Sequence, residues 1–229
     1  AVDDTRVNAA VFSPTGVYHD KKGVSGRNIL CDGLSDSFMR AHQSNTGEIP
    51  SALALSLKIH AGVPLAGKLG KAIWFDREAG QFTSSRAYFN EMPNWLKEFN
   101  SQLSKLHNQK ETEWEQKYPD ISGAYDFPLT SNYTYAGQRF KMVNKQIPFD
   151  SDPVKKYKLF LKTPQANELL LDLARHVIYK QKKQDSPLLL WISMSSFDLV
   201  GHVYGPDSKE VIDMLYHVDS QMQIGRAHV

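Results

Sequence analysis

The sequence predicts an α/β fold, and three features of its patterning carry that prediction. Residues 188–194 form a continuous apolar run, the pattern of a central parallel strand covered on both faces. Residues 52–57 are apolar enough for a second buried strand, which places Lys58 at or just past its C-terminal end. Thr163-Pro164 opens a helix whose apolar stripe is Leu169, Leu170, Leu173, Val177 and Ile178, with Thr163 as the cap and Pro164 in the first helical position.

The remaining elements follow in chain order. Residues 7–12 fit a short strand ahead of the turn Ser13-Pro14-Thr15-Gly16. A helix is expected to start near Gly33, capped by Ser35 or Asp36. Residues 72–76 and 81–85 flank Arg77-Glu78-Ala79-Gly80 and read as a β-hairpin. Pro93 fits the first turn of a helix carrying Trp95, Leu96, Phe99, Leu103 and Leu106. Residues 108–153 have no clean period and read as part of an insertion covering a site. Asp207, with Glu210 three residues on, fits a capping box for a helix over 211–222.

Composition narrows the function. The chain has 229 residues, 41% hydrophobic and 23% charged, with a formal net charge of +2. So small and scattered an excess of basic residues argues against a nucleic-acid partner. No apolar stretch reaches the roughly 20 residues that span a bilayer. A single cysteine, Cys31, excludes an internal disulfide and a cysteine-rich metal site.

Chemistry concentrates where the 188–194 strand ends. Asp198 and His202 follow within a few residues, and in open α/β sheets functional groups gather just past the carboxyl ends of strands. On one helical turn, a carboxylate and an imidazole four residues apart can share a Zn²⁺ ion. An Asp capping a turn beside a packed His remains an equal reading of that pair alone.

The surrounding pattern is Asp198-x-x-Gly201-His202-x-x-Gly205-Pro206-x-Ser208. It resembles the metal-site motif of phosphate-irrepressible-type bacterial alkaline phosphatases and of the related nucleotide pyrophosphatase/phosphodiesterases, within the alkaline phosphatase superfamily. Ser56-Leu57-Lys58, Ala66-Gly67-Lys68 and 72–76 are similar to a second segment of that family. Gly80 to Ser85, Pro93-Asn94-Trp95 and Phe99-Asn100 are similar to a third, and Thr163 to Glu168 to a helix start, all in family order.

The resemblance implies a three-layer α/β/α sandwich around a mostly parallel sheet, truncated at both ends, with an irregular cap insertion over about 80–164 in a partial catalytic domain over 1–223. It implies a phosphate-ester hydrolase with two Zn²⁺ ions, and possible Mg²⁺ or Ca²⁺ besides, acting on a small phosphorylated substrate in the periplasm or outside the cell. Asp198 and His202 match ligands of one zinc ion, and Lys58 matches the phosphate-binding Lys. The Thr or Ser nucleophile and the other ligands are expected outside this chain, which leaves the piece itself inactive.

His60 stands where the family has Arg. It offers fewer donors than the bidentate guanidinium fork, which opens diester or sulfate-ester hydrolysis, or a catalytically dead binding module, as alternatives. Residues 224–229, Ile-Gly-Arg-Ala-His-Val, back-translate to ATC GGA AGA GCA CAC GTC, the start of a common sequencing adapter. They read as a translated scar, and different codons in the source nucleic acid would refute this.

Other candidates are set aside. His176 is expected to be a partly buried structural residue, and His217 a surface one. Asp213 and Asp219 are expected to make solvated or capping contacts. Ser195 and Ser196 lack a nucleophile elbow, and Cys31 lacks an activating environment.

Overall fold

A computed structural model describes residues 2–125, 142–181 and 186–226, without the side chains of Val7 and of 224–226. The chain divides into two compact units, one of Ala1–His107 with Leu170–Ser193 and the other of Asn108–Leu169 with Met194–Val229.

The first unit begins with short pieces. Strand β1 (Asp3–Asp4) pairs antiparallel with β4 (Gly23–Val24), and β2 (Phe12–Ser13) forms a hairpin with β3 (Gly16–Val17) across the turn expected at 13–16. Residues 7–9 form a 3₁₀ turn rather than the start of a strand. Helix α1 (Leu34–Thr46) leads to β5 (Ser51–Ser56), α2 (Ile59–Ala66), β6 (Lys71–Asp76) and β7 (Gln81–Thr83). The β6–β7 pair is the expected hairpin, with Phe75 opposite Phe82. Helices α3 (Asn94–Ser101) and α4 (Ser104–Asn108) replace the single helix expected after Pro93, which instead caps α3. The break is a tight turn in which the Gln102 and Leu103 amides donate back to the Phe99 and Asn100 carbonyls.

The cap of α1 also differs from expectation. Gly33 is its N-cap, and the Asp36 carboxylate accepts the Gly33 N–H at 2.8 Å. The same buried carboxylate accepts the Lys68 and Leu69 amides at 2.8 Å each, which ties the start of α1 to the loop after α2.

The strand Leu188–Ser193 is the tenth in chain order and is named β10; β8 and β9 belong to the second unit. The sheet order is β10-β5-β6-β7, with the first three strands parallel and β7 antiparallel. Successive strand side chains point to opposite faces, and β6 shows what covers each. Ala72 and Trp74 join Val63 and Ala66 of α2 in one apolar cluster. Phe75, the residue after Trp74 and so on the opposite face, meets Phe82 at 5.4 Å, and Phe82 meets Phe99 of α3 at 5.9 Å. Helices therefore cover both faces of a mixed sheet. The expectation of a central strand at 188–194 is corrected: β10 pairs with β5 alone and forms the end of the sheet among the described residues. Its side chains are only half buried, and Ile192 is exposed.

In the second unit β8 (Glu111–Glu113) pairs antiparallel with β9 (Gln146–Pro148). Helix α5 (Pro153–Phe160) is capped by Asp152, whose carboxylate accepts the Val154 N–H at 2.8 Å. Helix α6 (Pro164–Gln181), which belongs to the first unit from Leu170 on, starts on the expected proline. The Thr163 hydroxyl, expected as its cap, instead donates to the Phe160 carbonyl at 2.7 Å. Helices α7 (Ser196–Tyr204) and α8 (Lys209–Arg226) complete it. The cap of α8 is Ser208, whose Oγ accepts the Val211 amide; Glu210 turns away and accepts the Met142 amide, so the expected Asp207–Glu210 box does not form. Val200, Val211 and Met214 pack with Trp114, Met142 and Val143 as this unit's core. Part of the 108–153 stretch, residues 126–141, lies outside the described residues, as do the side chains of the 224–229 tail.

Candidate active site

Helix α7 sets the geometry of the acid–imidazole pair. Asp198 lies in its first turn and His202 in its last, four residues apart on one face. His202 Nε2 stands 3.2 Å from Asp198 Oδ1, and both side chains are more than half exposed. An anionic group near the helix start and an imidazole near its end suit the helix dipole. Val200, between them, is fully buried and anchors the helix, so the polar pair faces outward from a fixed support.

These two donors fit part of a zinc site. A carboxylate oxygen and an imidazole nitrogen at this separation can bind one ion from the same helical face. They do not complete a site: among the described residues no three His, Cys, Asp or Glu side chains are grouped to hold a metal ion.

Lys58 and His60 lie in the first unit, at the C-terminal end of β5. Lys58 is the N-cap of α2, its amide donating to Ser56 Oγ at 3.0 Å, and His60 is the second residue of that helix and exposed. A strand that ends directly in a helix N-terminus presents unpaired amides and a positive dipole end to an anion. Ser56 and Ser193 are register partners, so β5 and β10 end side by side. Asp198 and His202 belong to the second unit, where the structure brings these two together, while Lys58 and His60 follow closely at the head of α2 in the first.

The residues set aside divide differently. His176 is partly buried, with Nε2 3.1 Å from the Trp95 carbonyl, as expected. Ser196 Oγ is buried and so not presented to a substrate, and Cys31 is an exposed free thiol. Asp213 and His217 are corrected. Asp213 is fully buried and accepts from Trp114 Nε1 at 2.6 Å, from the Lys117 amide at 2.8 Å and from the Tyr125 hydroxyl. His217 Nε2 lies 3.3 Å from the Asp213 carboxylate and 3.0 Å from the Glu115 carbonyl, so it is an inner member of that network rather than a surface residue. Burial pushes the Asp213 carboxyl up, but hydrogen bonds from His217, Tyr125, Lys117 and Trp114 outweigh it and hold the group below the usual carboxylate range. The sequence signal for this network was the i, i+4 spacing of Asp213 and His217 on α8, which a solvated reading had absorbed.

Comparisons with known proteins bear on this geometry. The family model described as "Type I phosphodiesterase / nucleotide pyrophosphatase" matches residues 14–224. The chain is 26% identical over 204 residues to alkaline phosphatase PhoV of Synechococcus elongatus, covering 87% of this chain and 36% of that protein. It is 28% identical over 205 residues to a Myroides odoratus protein named calcium-transporting ATPase, covering 85% and 36%. It is similar to alkaline phosphatase PafA of Elizabethkingia meningoseptica, at 27% identity over 217 residues covering 91% and 38%. The crystal structure of wild-type PafA superposes with a TM-score of 0.66 at 26% identity, over 90% of this chain and 39% of that one. The chain thus spans little more than a third of the relatives it matches.

Proposed function

Since the chain belongs to the type I phosphodiesterase / nucleotide pyrophosphatase family within the alkaline phosphatase superfamily, we propose that it is part of a zinc-dependent phosphate-ester hydrolase that cleaves phosphomonoesters. The observation that supports this most is the convergence of Asp198 and His202 to 3.2 Å on the outward face of α7, in a chain that matches the family from residue 14 to 224. In this reading Asp198 and His202 hold one zinc ion, two such ions serve the whole protein, and the nucleophilic Thr or Ser lies outside these residues. The piece alone, with two ligands, is inactive. Bound zinc would withdraw charge from the phosphoryl oxygens and from the attacking and leaving groups.

The chain's own residues have separable tasks. The Lys58 ammonium, at the head of α2, offers positive charge to the equatorial oxygens of the phosphoryl group, and the α2 amide ends add to it. Asp198 and His202 hold their donor atoms in place through the helix they share, so little ordering is left for the moment of binding. Substrates are small phosphorylated molecules, and the whole protein works in the periplasm or outside the cell. Among the described residues no helix is long and apolar enough to cross a membrane.

One observation favours a second reading. His60 is exposed on the first turn of α2, in the position of the family's Arg, and cannot offer the guanidinium's bidentate fork. A phosphodiester or sulfate ester carries less charge than a monoester dianion and needs less of that clamp.

The full-length protein containing this chain provides the test. We expect about two zinc ions per protein, hydrolysis of p-nitrophenyl phosphate, and a loss of at least about 100-fold on Asp198→Ala or His202→Ala. Faster turnover of bis(p-nitrophenyl) phosphate or p-nitrophenyl sulfate, with His60→Arg shifting preference back to the monoester, would establish the second reading. A protein with no zinc and no esterase activity would be a binding module and would overturn both.

A further inference from the structure

A cleft of about 370 Å³ in the first unit is lined by Arg6, Arg27, Lys68, Lys71 and Tyr88, and among the described residues no acidic one lines it. We propose that it is a binding site for an oligophosphate anion, one with at least two linked phosphoryl groups, distinct from the phosphate site proposed at Lys58.

Its position makes it separate. Lys71 opens β6, whereas Lys58 follows the end of β5, and the two strands are parallel neighbours. Lys71 is level with Leu53, so the cleft lies toward the opposite end of the sheet, about 16 Å from Lys58 by the rise of five strand residues.

The walls are built and held. On one side Arg6 grips Asp4 through Nε and Nη2, at 2.6–3.0 Å, and the Ser25 hydroxyl donates to the same carboxylate at 2.6 Å. Ser25 Oγ in turn accepts the Arg27 amide at 3.2 Å, so one network fixes the backbone that carries Arg27. On the other side the buried Asp36 carboxylate pins the Lys68 and Leu69 amides. The walls meet at Gly26, where a Cβ would stand 2.5 Å from the Gly67 carbonyl oxygen, an approach only glycine permits. The backbone beneath these cations is held before a ligand arrives, so capture has only exposed side chains left to order.

Charge selects the ligand. Arg6 and Lys68 are neutralised in part by Asp4 and Asp32. Arg27 and Lys71 have no carboxylate in ion-pair range among the described residues, and the Lys71 ammonium rests 4.8 Å from the centre of the Phe89 ring. Guanidinium forks match phosphate oxygens in pairs. Arg27 and Lys71, with the charge left over on Arg6 and Lys68, carry more positive charge than one orthophosphate balances near neutral pH, and they suit a chain of phosphoryl groups.

Titration of the 229-residue chain with inorganic pyrophosphate, followed by calorimetry in about 0.15 M salt, tests the site. We expect one binding event, at least about tenfold tighter than orthophosphate, weakened at least about tenfold by Arg27→Ala with Lys71→Ala. Lys58→Ala and the remote Lys105→Ala should leave the constant within about twofold, and thermal melts of each variant confirm folding. Loss of binding on Lys58→Ala would assign the anion to the candidate active site and overturn the proposal without touching the proposed activity. Equal affinity for orthophosphate, no effect of the double substitution in a folded variant, or no binding at all would each overturn it too.

Discussion

Asp213 shows how one side chain organises a region that composition describes as irregular. Residues 108–125 have little regular structure, yet Trp114, Lys117 and Tyr125 all donate to the Asp213 carboxylate, reaching α8 from almost a hundred residues upstream. Each hydrogen bond to a charged acceptor contributes about 1.5–3 kcal/mol, so Asp213→Ala should destabilise the second unit by at least about 3 kcal/mol, read by chemical denaturation. Asp213→Asn, close in shape, should recover part of this, and no loss in either variant would remove the network from the account. The same contacts fix a pH dependence. The carboxyl is held below its unfolded value near 4, so its contribution is complete above about pH 4 and fades as pH falls through the lower folded value. Asp4 is displaced in the same direction, chiefly by its hydrogen bond from Arg6. Acid unfolding of the wild type should therefore be steeper below pH 4 than that of Asp213→Asn, and parallel curves would count against the assignment.

At the scale of elements, polar side chains finish what the backbone leaves open. Among the described residues strand β7 ends the sheet, and an edge strand exposes unpaired amides and carbonyls. The buried Asn100 side chain of α3 closes that edge at one residue: its Oδ1 accepts the Phe82 N–H at 3.1 Å and its Nδ2 donates to the Phe82 carbonyl at 2.8 Å. Asn100→Ala should strand both groups in the interior at a cost of about 2–4 kcal/mol, and Asn100→Asp, which sets a buried carboxylate oxygen against the Phe82 carbonyl, should cost at least as much. Thermal unfolding ranks the two, and an Asp variant clearly more stable than the Ala variant would show that the bond donated to the Phe82 carbonyl contributes little. Gly67 works by backbone shape. It ends α2 with φ at 68°, and a Cβ there would lie 2.5 Å from Asp36 Oδ2. Gly67→Ala should combine the strain of that conformation with displacement of a buried carboxylate, lowering stability by about 2 kcal/mol or more.

Across the whole molecule, the elements with strong periodicity were legible and those defined by long-range partners were not. Apolar runs and turn residues located β5, the β6–β7 hairpin, α6 and the strand at 188–193, because each is decided within a few neighbours. The pairing of Asp198 with His202 on one helix face was legible for the same reason, being i, i+4, whereas the role expected of them came from the resemblance and not from the spacing. Asp213, Asn100 and the caps at Gly33 and Ser208 were not, since their partners lie far off in the chain or compete with an equally good local choice. The apolar run of β10 shows what such a pattern leaves undetermined. It reads as a strand covered on both sides, yet among the described residues it pairs with β5 alone and leaves Ile192 exposed. A six-residue apolar edge is a template for another strand, and nothing in Leu188–Ser193 carries the charge or proline that would discourage pairing. The 229-residue chain should therefore self-associate as its concentration rises into the micromolar range, seen as a growing mass in light scattering. Ile192→Lys, which puts a charge on that strand without opening a cavity, should return it to the monomer mass. A wild-type chain that stays monomeric throughout would show that the outer side of β10 is already protected.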